Sequence, residues 1–582
     1  MVRARLTRNG ALLVCAGLLA AVLATYASSL HNAPVWDDGP LVVDNPYLRS
    51  LDGLRRLWST DLWTASARGE PSSFYRPFTM LTFWVNVALG GGAVASLRLG
   101  NILIHTANAA LLALFARKAH GARWRPAGLV ALLFAVAPVC SEPVLWISGR
   151  FDLLVVTFAL LALLAGRKDG PLGRALFLAA VGVGLLCKES FIGWLPVLLV
   201  DDLLVRRSAV RSLVGKYLGV AAVAGAYLAL RRLIELPSLD VLAHTGVRAL
   251  CESFLFLVAT SLRQLVWPTR LDPFRPYIVP SAMMLTATAL AIAAIVGALV
   301  VAVRRRPDDH SLRLALLGVT WFLVATAPSA VVGPTLAMVG DRYSYLPMAG
   351  LAVVAIAFAG MLEKRDVRGW LLATGLGSVI VAVAWSISTS LHARAWRDDR
   401  SLAESSLESD PENPYALFWL GSDAAQHGEL ERADDLLARS LAHNAGSWRT
   451  WDAVCYVRLH QNRLAEAERA CNESIVLLPA NPRAWLNLAS VYVRGERWAD
   501  ALTAADRALV LKPSFAEAHY LAGVSAANLG LYPVAEGHVR DGLRADPGHR
   551  RLLSFKADLE RHQREHPPAP PPSVPPPPSS PP

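Results

Sequence analysis

Cysteine is scarce in this chain, six in 582 residues, and none stands at the spacing of a zinc or iron–sulfur site. Cys15, Cys140, Cys187 and Cys251 fall in or beside apolar runs, where a thiol packs as a small hydrophobe. The sequence therefore nominates no metal ligands, and a divalent cation stays open as a cofactor. Acidic residues are fewer than basic ones, 46 against 57, for a formal net charge of +11. The Lys and Arg stand in short clusters between apolar segments, which is the positive-inside pattern of membrane proteins, so no nucleic-acid partner is expected. Long apolar runs are missing after about His392, which separates a last third of different character. The end of the chain, 567–582, lacks almost everything except Pro, Ser and Ala, and is expected to be an extended polyproline-II spacer without a core.

What is present is apolar: 54% hydrophobic residues and a mean hydropathy of +0.36 are too much for one soluble domain. Runs near the length needed to cross a bilayer recur through the first two thirds. The expected fold is all-α, a polytopic membrane domain over 1–391, a connector over 392–412, a repeat domain over 413–566 and the Pro-rich tail. Arg3, Arg5 and Arg8 precede the first run, 11–30, and place the N-terminus in the cytoplasm. A cleaved signal peptide is the weaker reading, because cleavage would take the first helix away from the spans that follow. Further spans are expected over 97–115, 126–140, 151–165, 175–187, 191–204, 217–230, 283–303, 312–326, 346–361 and 370–387. Residues 247–266 carry Arg248, Glu252 and Arg263, each costing about 2.5–3.5 kcal/mol near a bilayer centre. Counting that stretch as a span would also put Arg304, Arg305 and Arg306 outside. It is expected to be an amphipathic external or re-entrant helix, giving eleven spans and an external C-terminal domain.

The last third repeats. Ala433, Ala467, Ala501 and Ala535 stand thirty-four residues apart, with Ser440, Ser474, Ala508 and Gly542 seven later in each unit. Pro479, Pro513 and Pro547 close three units, with Ala445 in the first, and Trp451 and Trp485 open the middle two. This is the tetratricopeptide pattern, small residues where two helices press together and Pro ending the second. About four repeats and a capping helix over 550–562 meet the stacking requirement and argue for a polypeptide partner. Cys455 and Cys471 fall where the two helices of one repeat touch, as a disulfide or as two packed thiols.

The loops on the predicted external face carry charge that solubility does not explain. The first long loop opens on Trp36-Asp37-Asp38 and continues to Asp44 and Tyr75-Arg76-Pro77. Later ones hold Glu142, Ser148-Gly149-Arg150-Phe151-Asp152, Lys188-Glu189 and Asp341-Arg342-Tyr343. Ionisable groups at membrane depth are candidates for function, with structural ion pairs the alternative. Sugar transfer from a polyprenyl phosphate suits such a set. A carboxylate takes the proton of the incoming hydroxyl, and cations hold the departing phosphate. Asp37, or failing it Asp38, is the expected base. Arg76, Arg150, Lys188, Arg231 and Arg342 are the expected cations; Arg231 ends an outward span against the positive-inside trend. On the second span Asn101, His105 and Asn108 share a face, expected to hydrogen-bond between helices.

These motifs, taken in order with Asn45-Pro46, Phe78-Thr79 and Ser344-Tyr345-Leu346-Pro347, resemble the transmembrane-and-tetratricopeptide-repeat family, which look like O-mannosyltransferases of the GT-C fold. The resemblance covers nearly the whole chain except the tail. It implies a polyprenyl-phosphate-linked sugar donor, a hydroxyl acceptor on protein, and a base within Asp37-Asp38. Glu142, Asp152, Glu189, Asp341 and Tyr343 belong to the matching motifs and are expected at the substrate site. The expected function is thus an inverting hexosyltransferase in a bacterial inner membrane, with the repeats gathering acceptors on the extracytoplasmic side. Two alternatives stand: a ligase- or polymerase-like glycan transferase using a polyprenyl diphosphate, and a non-catalytic membrane scaffold.

Overall fold

About twenty apolar residues can satisfy their own backbone in a bilayer only by coiling. A computed structural model of the chain describes residues 2–69, 72–120, 124–236, 245–268, 271–336, 338–364 and 368–565, and it is built almost wholly of helices. The Pro-rich tail expected over 567–582 lies outside the described residues. Among the described residues the only strands are Arg275–Pro276 and Met338–Val339, one short antiparallel pair. The fold is an all-α membrane bundle followed by a tetratricopeptide solenoid, and the chain divides after Pro411 into two compact units.

In the first unit ten helices among the described residues are long and apolar enough to cross a membrane, from Gly10–His31 to Thr374–His392, and the protein is a multi-pass membrane protein. The set differs from the eleven runs read in the sequence. Over 126–140 the helix Trp124–Val136 is short, and Pro138 opens a separate 3-10 turn, Pro138–Cys140. Over 191–204 the chain is broken into Phe191–Trp194, Pro196–Val200 and Asp201–Val205, because Pro196 has no amide to continue a helix. Val247–Val266, in contrast, does reach span length. Its packing, however, follows the segment 333–344. Ser253 abuts Gly333, the Ser261 and Ser344 hydroxyls are 2.8 Å apart, and Gln264 donates to Asp341.

Close helix packing depends on small residues. A Cβ on Gly318 would meet the Gly350 carbonyl at 2.6 Å, and one on Gly350 would meet the Phe322 amide nitrogen at 2.7 Å, so His310–Thr326 and Tyr345–Lys364 approach backbone to backbone. The polar stripe on the second span binds neighbouring helices. Asn101 donates to the carbonyls of Trp146 and Ile147, His105 bridges the Tyr345 hydroxyl and the Ala135 carbonyl, and Asn108 donates to the Leu153 carbonyl. All three are fully buried.

The second unit consists of four helix pairs, from Pro414–Gln426 with Leu430–His443 to Ala516–Asn528 with Tyr532–Ala545, closed by Arg550–Glu565. The aligned alanines Ala433, Ala467, Ala501 and Ala535 are all fully buried. Ser440 and Ser474 donate to the carbonyls of Pro414 and Trp448, fastening the second helix of a pair to the start of the first. The indole nitrogens of Trp451 and Trp485 donate to the carbonyls of Ala445 and Pro479, and His519 makes the same reach to Pro513 in the last repeat. Period therefore fixes a bond as well as a packing position.

Cys455 and Cys471 form a disulfide, Cα to Cα 5.2 Å, between the two helices of the second pair. The equivalent positions in the first pair are Gly421 with Leu437, in direct contact, so the disulfide stands where that pair has a small-against-large packing contact. Alkylation of the unfolded, unreduced chain should label four cysteines and spare these two. Cys455→Ser should destabilise the repeat unit by about 3 kcal/mol, the loop-closure value for a short loop, read from denaturant unfolding.

Candidate active site

The local backbone separates the two neighbouring acids of the first loop. Trp36 is held at φ +53°, a left-handed conformation costing about 1–2 kcal/mol for a bulky side chain. Its amide donates to the Asp399 carboxylate at 2.9 Å, and its ring meets Trp146, Phe274 and Trp396 edge-on at 5.6, 4.8 and 5.4 Å. After this turn Asp38 points inward and is fully buried. Its carboxylate accepts the Ser148 amide at 2.8 Å, the Ser148 hydroxyl at 2.7 Å, and the Ile147 and Val35 amides at 3.3 Å. Burial pushes its pKa up to about 6, against the opposing pull of these donors and of the Arg98 guanidinium. Asp37 points the other way, 34% exposed, and pairs with Arg68 at 3.1 Å.

The remaining sequence-nominated residues meet at the same end of the bundle, mostly as ion pairs. Arg342 pairs with Glu142 at 2.5 Å, Lys188 with Asp152 at 2.5 Å, and Arg76 with Glu189 at 3.0 Å. Arg231 donates to the Ser73 carbonyl, and its buried Nη1 lies 3.9 Å from Glu189 with no hydrogen-bond partner among the described residues. The rings join these pairs: Arg342 stands over Trp146 and Tyr343, and Lys188 lies 5.7 Å from the Tyr343 ring centroid. Asp341 pairs with Arg275 at 2.8 Å, because the strand pair registers Arg275 opposite Val339 and so brings it to that segment. Arg150 stands apart from the others in kind. Its guanidinium is buried and bonds to Asn101, Asn86 and the carbonyls of Leu97 and Thr82. That is the environment of a strut between helices.

Several residues in this network were not singled out in the sequence. Arg98 donates to the carbonyls of Asn32, Ala33 and Leu145, anchoring the start of the first loop. An arginine inside an apolar helix was a readable signal for it. Arg68, Arg275, Asp272 and Asp399 gave no such signal, since each stands in a polar stretch. Asp272 is buried, accepts the Ser406 hydroxyl at 2.7 Å, and has its pKa raised by burial to about 6. Gly340 is required by the Glu142–Arg342 pair, for a Cβ there would collide with the Arg342 guanidinium and meet Glu142 Oε1 at 2.9 Å.

No three His, Cys, Asp or Glu side chains among the described residues cluster so as to hold a metal ion. Glu142, Asp152, Glu189 and Asp341 each already face a cation. These carboxylates therefore do not fit a divalent-cation site. The opposite end of the bundle has a separate set of ion pairs. Arg167 pairs with Asp201 at 2.6 Å, Lys216 and Arg206 with Asp202 at 2.5 Å each, and Arg207 with Asp308 at 2.8 Å. None of the nominated residues is among them.

Comparison with known proteins finds a repeat family and several relatives. The Tetratricopeptide repeat family matches residues 486–550. "Protein O-mannosyl-transferase F38B6.6" of Caenorhabditis elegans is 25% identical over 429 residues, 72% of this chain and 61% of that protein. "Protein O-mannosyl-transferase TMTC4" of Mus musculus is 34% identical over 211 residues, 31% of this chain and 28% of that protein. The chain thus covers less than two thirds of either relative's length. Among solved structures, the MamA crystal structure matches at 19% identity and a TM-score of 0.23, over 30% of this chain and 87% of that one. YrrB, titled a TPR protein with an unusual peptide-binding site, matches at 16% identity and a TM-score of 0.25, over 29% and 87%.

The geometry separates two kinds of substitution. Glu142→Ala leaves Arg342 buried without its partner and should cost about 3–5 kcal/mol. Asp37→Ala breaks a half-exposed pair and should cost under about 1 kcal/mol, both read as thermal melting in detergent. Asp38 and Asp272 titrate higher folded than unfolded, so both bind more protons in the folded state. Their contribution to stability is greatest at low pH and lost as pH rises through about 6. The melting temperature should fall across that window, and Asp272→Asn should flatten the fall.

Proposed function

We propose that the chain, similar to the O-mannosyl-transferases named above, is an integral-membrane glycosyltransferase. It moves a mannose-like sugar from a polyprenyl-phosphate donor to a hydroxyl of a protein acceptor. The reaction takes place on the extracytoplasmic face of a bacterial inner membrane, with the N-terminus cytoplasmic and the repeats external, where they bind the acceptor. The carrying observation is the split of the two neighbouring acids: Asp37 half-exposed, Asp38 buried among donors.

A general base must reach its substrate's proton. Asp38 has both oxygens engaged by buried donors, and it serves to anchor the loop. Asp37 is the base. It takes the proton of the acceptor hydroxyl as that oxygen bonds to the anomeric carbon. The bond from that carbon to the phosphate oxygen breaks on the opposite side, inverting the centre, and the polyprenyl phosphate leaves with the electron pair. Cations at the same end stabilise that leaving charge. Arg231 is suited to it, with one buried nitrogen that makes no hydrogen bond among the described residues, and Arg76 shares Glu189 with it. Arg342 and Lys188 lie around Tyr343. No step requires a metal.

The orientation rests on charge and on oxidation state. Clusters of Arg and Lys mark one end of the bundle as cytoplasmic, and the Cys455–Cys471 disulfide suits an oxidising compartment for the repeats. A reporter fused after Trp396 should be active only outside the cytoplasm. Asp37→Asn should lower transfer by about 10²–10⁴-fold, the worth of general-base catalysis, with melting unchanged. Transfer measured with a polyprenyl-phosphate sugar at an undiminished rate in that variant would exclude Asp37 as the base.

A further inference from the structure

The segment that follows the last membrane helix is fastened to the acidic loop at successive points. Asn32 donates through its side chain to the Ala393 carbonyl at 3.0 Å, and the Ala33 amide donates to the Arg397 carbonyl at 2.7 Å. Trp396, fully buried, packs edge-on against Trp36. The Trp36 amide donates to the Asp399 carboxylate at 2.9 Å. Farther along the same helix, Asp399–Ser409, the Ser406 hydroxyl donates to Asp272, whose amide in turn donates to Asp341. The ties of Asn32, Ala33 and Trp36 each span some 360 residues of sequence, and two of them hold Trp36, which among the described residues of the first loop is the one non-glycine with a left-handed backbone.

We propose that Asp399 is the positioning residue of the acidic loop: by holding the Trp36 amide it fixes the backbone turn that sends Asp37 toward substrate and Asp38 into the protein. This rests on Asp37 being the base, as proposed above. Asp399 touches neither reacting atom; it acts through Trp36. A left-handed turn at a tryptophan persists only where its surroundings over-determine it. The ring is held by three aromatic neighbours, and the amide is held by Asp399. Removing the carboxylate lets residues 36–38 relax toward the ordinary right-handed or extended region, and the base then loses its register against the acceptor hydroxyl.

The test uses the full-length chain in lipid nanodiscs and three variants. Asp399→Ala removes the acceptor oxygen, Asp399→Glu keeps the charge but displaces the oxygen by a methylene, and Asp399→Asn keeps an oxygen in place without the charge. Hydrogen exchange over residues 33–41 reports the loop independently of activity. In Asp399→Ala it should quicken about tenfold, the loss of one charge-assisted hydrogen bond. The transfer kcat should fall about 10²-fold, with KM for the polyprenyl-phosphate donor unchanged, as expected of a misplaced base. Asp399→Glu should lower kcat similarly while folding normally, so the proposal stays testable if the alanine variant does not fold. Asp399→Asn should restore most of both readouts.

Unchanged exchange, unchanged kcat, a change confined to KM, or a glutamate variant equal to the unsubstituted chain would each overturn the assignment. So would an asparagine variant as impaired as the alanine one. If the unsubstituted chain transfers no sugar, the glycosyltransferase reading fails, and exchange alone still decides whether Asp399 holds the loop.

Discussion

One carboxylate holds the first long loop to the rest of the bundle. Asp38 is clasped by the amides of Ile147 and Ser148 and by the Ser148 hydroxyl, more than a hundred residues away in sequence. A buried acid is tolerated only where donors replace the water it gives up. That requirement fixes the loop against the segment preceding the Arg150 helix. Close to this anchor lie the left-handed turn at Trp36, the outward Asp37, and the edge-on contact of Trp36 with Trp146, over which Arg342 stands.

The same economy of burial organises the other charges. At membrane depth an isolated ion is costly, so acids and bases meet in pairs. The bundle has two such sets, one at each end, and they differ in purpose by their surroundings. Asp202 gathers Arg206, Lys216 and the Tyr217 hydroxyl into a tight knot at one end. At the other, the pairs of Glu142 and Asp152 are joined through the Tyr343 ring, Arg76 and Arg231 share Glu189, and one Arg231 nitrogen makes no hydrogen bond among the described residues. A knot of satisfied charges stiffens a helix end, whereas the looser set leaves a buried arginine nitrogen without a hydrogen bond among the described residues.

Much of this was legible beforehand, for reasons that differ from element to element. Helix was certain because apolar runs of span length leave the backbone no other partner. The repeats were legible because a period of thirty-four puts Ala433, Ala467, Ala501 and Ala535 in one buried position, and packing enforces small side chains there. The stripe of Asn101, His105 and Asn108 was legible from helical spacing alone. Span boundaries were not, since Pro196 breaks one run internally and Pro138 ends another early. Val247–Val266, set aside as a span for its charges, is long and apolar enough to cross, and its polar residues Ser261 and Gln264 bond to Ser344 and Asp341. Asp399, Asp272 and Arg275 carried no local signal, because what distinguishes them is a partner far away in sequence.

The sequence by itself determined the helices, the division into an apolar domain and a repeat domain, and the set of ionisable residues placed near helix ends. Those are properties of hydropathy, charge and period, and they are written locally along the chain. Only the tertiary structure decided which of two adjacent aspartates is buried, which arginine is a strut and which has a buried nitrogen without a hydrogen bond among the described residues, and that Cys455 bonds to Cys471. Each of those depends on what distant segments bring within about 3 Å, the reach of a hydrogen bond, and a linear sequence does not state such distances.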